Sequence, residues 1–254
     1  MKMIGNTIFI TGGTSGIGRA MAEEFHKQGN QVIISGRRKA LLDEVTQANP
    51  GMYGLELDIQ NPEQIKAVAE RLIAKFPKLN VLFNNAGIMP FDDAAGELDE
   101  ESALATINTN LLGPVRMTAA LLPHLKQQQD AVVIHNSSVL AFLPLATNAL
   151  YSATKAAIHS YAMSQRFALR HSGVRVLEVA PPWVDTDLIH KSGDPRAMPL
   201  DLFVSETMRI LATNRDEVYV DAIQALRDNP GSGEHALFNA FNESIAENPI
   251  PVGH

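Results

Sequence analysis

The sequence contains no cysteine, and this absence removes several classes of protein from consideration. A disulfide framework, a thiolate metal site and a cysteine nucleophile each need a residue that none of the 254 positions supplies. A chain without thiols suits a reducing compartment, so we expect a cytoplasmic protein. We predict no metal site.

Long apolar runs and basic clusters are also missing. The formal net charge is −7, and the sequence has no block of Lys and Arg, so the surface should repel nucleic acid and anionic membranes. The opening segment, residues 1–13, is too short in its apolar part to span a membrane and lacks the cleavage site of a signal peptide. We therefore expect neither nucleic acid nor a membrane as a partner, and we interpret this segment as a buried first strand.

Short apolar runs do recur along the chain, each followed by a segment with helical spacing. The runs show no polar alternation, which is typical of strands covered on both faces. Strands that alternate with helices predict an α/β fold, a doubly wound parallel sheet of seven strands with helices on both faces. The predicted strands are Ile8–Ile10, Val32–Ile34, Tyr53–Leu57, Val81–Phe83, Val132–Ile134, Val174–Val179 and Val218–Val220.

We predict a single Rossmann-like domain over residues 1–254, because no linker, repeat or low-complexity tract divides the chain. The stretch at about 186–200 combines one glycine and two prolines with weak periodicity. It is expected to form a mobile loop over the substrate. His190 and Lys191 in this loop are interpreted as solvated side chains, with a role in a lid as the alternative.

A glycine-rich segment, TGGTSGIG at Thr11–Gly18, follows the first strand and opens a helix. Pyrophosphate needs close approach to main-chain N–H groups at a helix N-terminus, and glycines at positions 12, 16 and 18 permit that approach. A plain glycine-rich turn is the alternative. Its place between strand and helix favours a dinucleotide site.

Tyr151 and Lys155 lie four residues apart, on one face of a predicted helix. An ordinary amphipathic helix would give the same spacing. A free tyrosine has a pKa of about 10, which makes it a poor proton donor or acceptor at neutral pH. A nearby ammonium would stabilise the phenolate and lower the pKa of Tyr151 toward neutrality.

The motifs together resemble the short-chain dehydrogenase/reductase family. The glycine segment has the TGxxxGxG form, NNAG follows the fourth strand, and Ser138 precedes Tyr151 by thirteen residues, as in that family. The family's aspartate and Asn-x-x-Gly asparagine match Asp58 and Asn110. The segment APPWVDTDL and the C-terminal part look like the DltE-like branch, whose name gives no substrate.

This resemblance implies a catalytic set of Asn110, Ser138, Tyr151 and Lys155. Tyr151 would be the general acid or base, Lys155 would also hold the nicotinamide ribose, and Ser138 would hold the substrate oxygen. Asn110 would bind a water through its backbone at a kink in the helix. Ser137 and Asn108 are adjacent alternatives, which the family spacing disfavours. A protein of this family would bind its cofactor through Gly12, Thr14, Ser15, Gly16, Ile17, Gly18, Arg37, Arg38, Asp58, Ile59, Asn85, Ala86, Gly87, Tyr151, Lys155, Pro181, Val184 and Thr186.

The end of the second strand bears on the choice of dinucleotide. Relatives that prefer NAD place a carboxylate there, about twenty residues past the glycine loop, and this chain has Gly36 followed by Arg37 and Arg38. A guanidinium matches a phosphate, so we predict NADP(H) with NAD(H) as the alternative. Two solvated arginines would look the same in the sequence. Ser15 stands where many NADP enzymes of the family have a basic residue.

Substrate residues are expected at the carboxyl ends of the later strands. Ser138, Leu140, Tyr151 and Trp183 are predicted to contact a small apolar carbonyl compound or the matching secondary alcohol. Met89, Phe142 and Leu188 would border it. Pro182 stands where the family usually has a glycine. The two alternative functions are a catalytically silent NADP(H)-sensing protein and a sugar-nucleotide epimerase, although the epimerase would need a longer chain.

A homodimer or homotetramer is predicted from two stripes of side chains. The resemblance implies that the helix from Tyr151 and the long helix before it, at roughly Glu100–Gln127, pair across a two-fold axis. The alternative is that both stripes face only the sheet. The stripe residues are Ala153, Ala157, Tyr161, Ser164 and Ala168 on the later helix, and Leu104, Ile107, Leu111, Val115 and Leu122 on the earlier one.

Overall fold

A computed structural model describes residues 1–189, 191, 193–227 and 233–250. Within these residues, seven parallel strands form one sheet in the order β3-β2-β1-β4-β5-β6-β7. This confirms the doubly wound α/β fold. The strands are β1 Thr7–Thr11, β2 Gln31–Gly36, β3 Tyr53–Glu56, β4 Leu79–Asn84, β5 Val132–Asn136, β6 Arg175–Val179 and β7 Glu217–Val218.

Helices cover both faces of the sheet. One apolar cluster joins the strands to α1, α2 and α7, and the other joins them to α3, α5 and α6. None of the described helices is both long and apolar enough to cross a membrane. The helices are α1 Gly16–Lys27, α2 Lys39–Ala48, α3 Pro62–Lys75, α4 Glu100–Ile107, α5 Gly113–Leu125, α6 Ala149–Leu169, α7 Leu200–Leu211, α8 Asp221–Arg227 and α9 Glu234–Glu247.

The last strand is shorter than its apolar run. The sequence predicted Val218–Val220, and β7 contains only Glu217 and Val218, which pair with Glu178 and Val179 of β6. Tyr219 and Val220 are buried without belonging to the strand. Their apolar character therefore reports burial in the core and not strand pairing.

A wide helical turn, Asn108–Leu112, separates α4 from α5. The sequence predicted one long helix here with a kink at Asn110, and the structure gives two helices joined at that residue. Gly113 follows the turn, and a Cβ there would lie 2.7 Å from Cγ1 of Ile59. The glycine therefore lets the turn pack against the segment after β3.

The predicted substrate loop has defined contacts at both ends. A short helical turn spans Asp187–Ile189, and Val184 forms an isolated bridge with Met198. Lys191 is exposed, as expected for a solvated side chain, and His190 lies outside the described residues. That the loop moves remains a prediction.

Candidate active site

One cavity of about 1180 Å³ runs along the carboxyl edge of the sheet. All eighteen predicted cofactor residues line it, from Gly12 in the first loop to Thr186 after β6. Ser138, Leu140, Tyr151 and Trp183 line it as well. The fold thus brings together predicted residues that are up to 174 positions apart in the sequence (12 to 186), because parallel strands end at the same edge.

The glycine loop is built for close approach. Gly12 and Gly16 have φ of +68° and +52°, and residues that carry a Cβ rarely adopt this backbone region. A Cβ on Gly18 would lie 2.2 Å from the carbonyl oxygen of Gly12. Asn85 fixes the loop from β4, since its Nδ2 donates to the carbonyls of Thr11 and Gly12, each at 3.1 Å.

The N-terminus of α1 faces the same cavity. Ser15 at the cap position makes no side-chain hydrogen bond to the helix, and the first turn carries no acidic residue. The positive end of the helix is therefore neither capped nor neutralised by a side chain, which suits an anionic ligand such as pyrophosphate.

Tyr151 is buried and forms a hydrogen bond with Ser138. Burial raises the pKa of Tyr151 to about 12, and the Ser138 hydrogen bond only partly opposes this. The sequence predicted that Lys155 lowers this pKa toward neutrality, and that prediction is wrong for the chain alone. Burial has the largest effect on the pKa of Tyr151, and the ammonium of Lys155 is hydrogen-bonded to the carbonyl of Asn136.

Lys155 is also buried, on the same face of α6. Its Nζ donates to the carbonyl of Asn136 at 2.7 Å and lies 5.4 Å from the centre of the Tyr151 ring. Burial lowers the pKa of Lys155 to about 8, and the negative charge of Glu178 acts in the opposite direction. The side chain thus keeps most of its charge at neutral pH and loses it in mildly alkaline solution.

Asn110 does not line the cavity but lies directly behind its wall. Its side chain donates to the carbonyl of Ile88 at 2.9 Å and accepts from the Ile88 N–H at 2.9 Å. A third contact, at 3.3 Å, reaches the hydroxyl of Thr154 on α6. The side chain therefore fixes the segment after β4 to α6. The predicted water on its backbone remains a prediction.

The other end of the cavity carries Arg37 and Arg38, both exposed. Neither guanidinium makes an ion pair with any residue that the structure describes. Asp58 lines the same end, but one of its oxygens accepts from the N–H of Gln60 at 3.0 Å, so the residue also caps a turn.

The substrate end differs from the prediction at one residue. Met89 and Leu188 line the cavity as expected. Phe142 does not, because its ring packs edge-on against His159 at 4.9 Å and Tyr219 at 5.6 Å between centroids.

The cavity has a further wall, supplied by α8, α9 and the segment after α9, that the sequence patterns did not predict. Leu226, Phe241, Ile245 and Ile250 line the cavity next to Leu140 and Leu145. The i, i+4 spacing of Phe241 and Ile245 indicates an apolar helix face, but this spacing does not say what the face covers. Asn242 holds α9 in place, since its side chain accepts from the N–H of Ala146 and donates to the carbonyl of Pro144 at 3.1 Å.

This fold and cavity define an oxidoreductase class, and the sequence comparison agrees. The family described as short chain dehydrogenase matches residues 6–197. The chain therefore belongs to the short-chain dehydrogenase family and is an oxidoreductase.

Within the family, the similarity to several proteins extends over nearly the whole chain. The oxidoreductase DltE of Bacillus subtilis is 37% identical over 95% of this chain and 98% of its own length. Serine 3-dehydrogenase of Rhizobium radiobacter is 32% identical over 94% of this chain and 99% of its own. A crystal structure of a short chain dehydrogenase from Burkholderia cenocepacia in complex with NADP has a TM-score of 0.81 at 28% identity, covering 99% of this chain and all of that one.

Proposed function

We propose that this protein is an NADP(H)-dependent oxidoreductase that interconverts a carbonyl compound and the corresponding alcohol, with Tyr151 as the general acid or base. One observation carries the proposal. Ser138, Tyr151 and Lys155 line the same cavity as the glycine loop, so a dinucleotide and a substrate oxygen can be held together.

The residues of the cavity fit a dinucleotide phosphate. The glycines admit the pyrophosphate because a Cβ at Gly18 would strike the main chain, and α1 offers an uncapped N-terminus. Arg37 and Arg38, without carboxylate partners among the described residues, suit a 2′-phosphate. The Burkholderia structure holds NADP, which supports the same choice.

The three polar side chains divide the acid–base chemistry between them. When bound, a nicotinamide supplies or accepts the hydride. Because burial raises the pKa of Tyr151 to about 12, its phenol carries a proton at neutral pH and can give it to the oxygen of a carbonyl substrate. Ser138 holds that oxygen, and Lys155 favours the phenolate that remains. Reduction of the carbonyl is the direction that this protonation state supports.

The substrate end favours an uncharged, apolar compound. The described lining contains Arg196 at this end, and each of its three guanidinium nitrogens already donates a hydrogen bond. They reach both oxygens of Asp194, at 2.7 to 3.3 Å, and the carbonyls of Asn248 and Pro249 at 2.6 and 3.1 Å. A substrate carboxylate would have to displace these partners, so we propose an apolar ketone or aldehyde as the substrate, not a hydroxy acid.

A panel of carbonyl compounds tests the proposal. Apolar ketones and aldehydes, 2- and 3-oxo acids and sugars are each incubated with NADPH or NADH, and loss of the reduced cofactor is followed by absorbance. We expect turnover of apolar carbonyls with NADPH and little with oxo acids. NADPH binding by fluorescence without turnover of any compound would instead favour the silent NADP(H) sensor.

A further inference from the structure

Glu178 is a buried carboxylate that the chemistry above does not use. It lies on β6, beneath α6, and no part of it is accessible to solvent. An ionised side chain in such a place is strongly unfavourable unless other groups pair with it and donate hydrogen bonds to it.

Three side chains contact this carboxylate. Ser137 donates its hydroxyl to Oε1, and Nδ1 of His159 lies 2.8 Å from Oε2. The hydroxyl of Tyr219 donates to Oε2 at 3.3 Å. Burial alone would raise the pKa of Glu178, but the contacts with His159 and Ser137 outweigh it, and the pKa is lowered. The carboxylate is therefore ionised at neutral pH.

The same residue fixes the end of β5, which leads to Ser138. We call residues Asn136–Ser138 the β5 corner. The peptide between its first two residues is held from both sides: its carbonyl accepts from Lys155 at 2.7 Å, and its N–H donates to Val179 at 2.8 Å. Glu178, the neighbour of Val179, takes the hydroxyl of Ser137. The β5 corner thus lies between Lys155 and the end of β6.

Glu178 also acts on Lys155 through its charge. His159 lies one turn after Lys155 on α6, so its contact with Glu178 places the carboxylate under the same stretch of helix. Among the described residues, Glu178 is the charged group that supports the ammonium of Lys155 against burial. The other ionisable groups packed around the two residues are Tyr151, His159 and Arg166 of α6, His135 of β5, Glu217 of β7, Tyr219, and Arg227 of α8.

We propose that Glu178 is a positioning residue with two effects: through Ser137 it holds the β5 corner that presents Ser138, and its charge compensates the buried ammonium of Lys155. This inference rests on the proposed function, because it assumes that Lys155 acts on the cofactor and on Tyr151.

Glu178→Gln tests the charge, since glutamine keeps the size and can still accept from Ser137. NADPH affinity, measured by fluorescence, and turnover are recorded across neutral and alkaline pH. Lys155 loses its proton as pH rises, so both quantities should fall on the alkaline side. The midpoint of that fall should move down by about one pH unit in the variant, the scale of a lost neighbouring charge.

Two variants serve as controls for the charge. Glu217→Gln removes a carboxylate at the register partner of Glu178 on β7, with 34% of its side chain exposed, and should leave the midpoint unchanged. Glu178→Asp keeps the charge and should restore the midpoint even where turnover is reduced. A folded Glu178→Gln protein with the wild-type midpoint, or an equal shift in Glu217→Gln, would overturn the role of the charge.

Ser137→Ala tests the β5 corner separately. It removes the link to Glu178 without removing a charge, so kcat should fall several-fold while the midpoint stays in place. Wild-type kcat would overturn the positioning effect. If Glu178→Gln does not fold, as judged by thermal melting, Ser137→Ala still tests the positioning effect, and Glu178→Met, which removes the charge at a similar volume, replaces glutamine in the test of the charge. An unmutated protein that binds no NADPH at any pH overturns the proposed function and this inference together.

Discussion

Tyr151 occupies a site whose protonation state depends on its surroundings. In the chain alone, burial holds its proton, and the ammonium of Lys155 is bound to the carbonyl of Asn136. The phenol is thus ready to act as an acid, while the group that would stabilise the phenolate is one helical turn away. Tyr151 is therefore better suited to donate a proton to a carbonyl than to act as a base that is already deprotonated.

Removal of the phenol hydroxyl tests this role. Tyr151→Phe should fold and bind NADPH normally but lose roughly two to four decades of turnover, the usual contribution of a general acid. Consumption of NADPH with the best carbonyl substrate, followed by absorbance, measures the loss of turnover, and fluorescence titration measures NADPH binding. Lys155→Ala, in contrast, should weaken NADPH binding as well. Turnover of Tyr151→Phe near that of the unmutated protein would exclude the tyrosine as the proton donor.

Arg37 is expected to distinguish the two dinucleotides. Arg37→Ala should weaken NADPH binding by about 1–3 kcal/mol, the scale of a lost charged hydrogen bond, and leave NADH binding nearly unchanged. Calorimetric titration with each cofactor measures the difference. The control is Lys39→Ala, a neighbouring cation that is already paired with Asp43 at 2.7 Å and should change neither affinity. Equal losses for both cofactors in Arg37→Ala would show that this side chain does not read the 2′-phosphate.

The location of single residues was predictable where they belong to a sequence motif. Properties that depend on tertiary contacts were less predictable. Every predicted cofactor residue lines the cavity, because the motifs sit at strand ends and the sheet brings those ends together. The pKa of Tyr151 was not predictable, since it depends on how deeply α6 is buried. Phe142 follows the right strand, but its ring turns toward His159, a contact that no spacing encodes.

The turn from β1 into α1 requires glycine at position 18. Gly18→Ala would place a Cβ 2.2 Å from the carbonyl of Gly12 and 2.3 Å from Nδ2 of Asn85. The loop must shift, so we expect NADPH affinity to fall at least ten-fold, about 1.4 kcal/mol. Gly29→Ala is the control, since Gly29 has φ of +85° and no neighbour within 4 Å. It should lower the melting temperature and leave NADPH affinity unchanged, whereas unaltered affinity in Gly18→Ala would contradict a rigid loop.

Among the elements, α3 was predictable from its first residues. Asn61 is a favourable N-cap residue before Pro62, and it caps the helix by accepting from the N–H groups of Glu63 and Gln64 at 3.0 and 3.1 Å. The place of α9 was not predictable, because its partners near Ala146 lie about a hundred residues earlier in the chain. Local patterns give the type of an element, while its docking depends on surfaces that only the folded chain brings together.

At the level of the whole molecule, an apolar surface on α4 and α6 suggests assembly. Leu104, Met163 and Phe167 are exposed by 51%, 44% and 67%. Of the predicted stripe, Ala153, Ser164 and Ala168 are exposed, so this stripe does not face only the sheet. Exposed apolar patches of this kind mark protein–protein contacts.

We expect a homodimer or homotetramer in which these helices meet a second copy. Light scattering at micromolar concentration should give a mass of two or four chains. Substitution of both Leu104 and Phe167 by Asp should shift the mass toward one chain, while Ile4→Asp, at a residue 61% exposed and remote in the sequence, should not. A mass of one chain for the unmutated protein would refute the prediction.

The wall that α9 adds to the cavity has a consequence for how new specificities can arise. The family match ends at residue 197, after the last residue of the catalytic set, whereas Leu226, Phe241 and Ile245 lie beyond it. The proposed catalytic residues and this part of the wall therefore lie in successive stretches of the sequence. We expect recombination downstream of residue 197 to change this part of the wall and to leave the proposed catalytic residues in place, so this boundary is a suitable crossover point for building chimaeric proteins of the family.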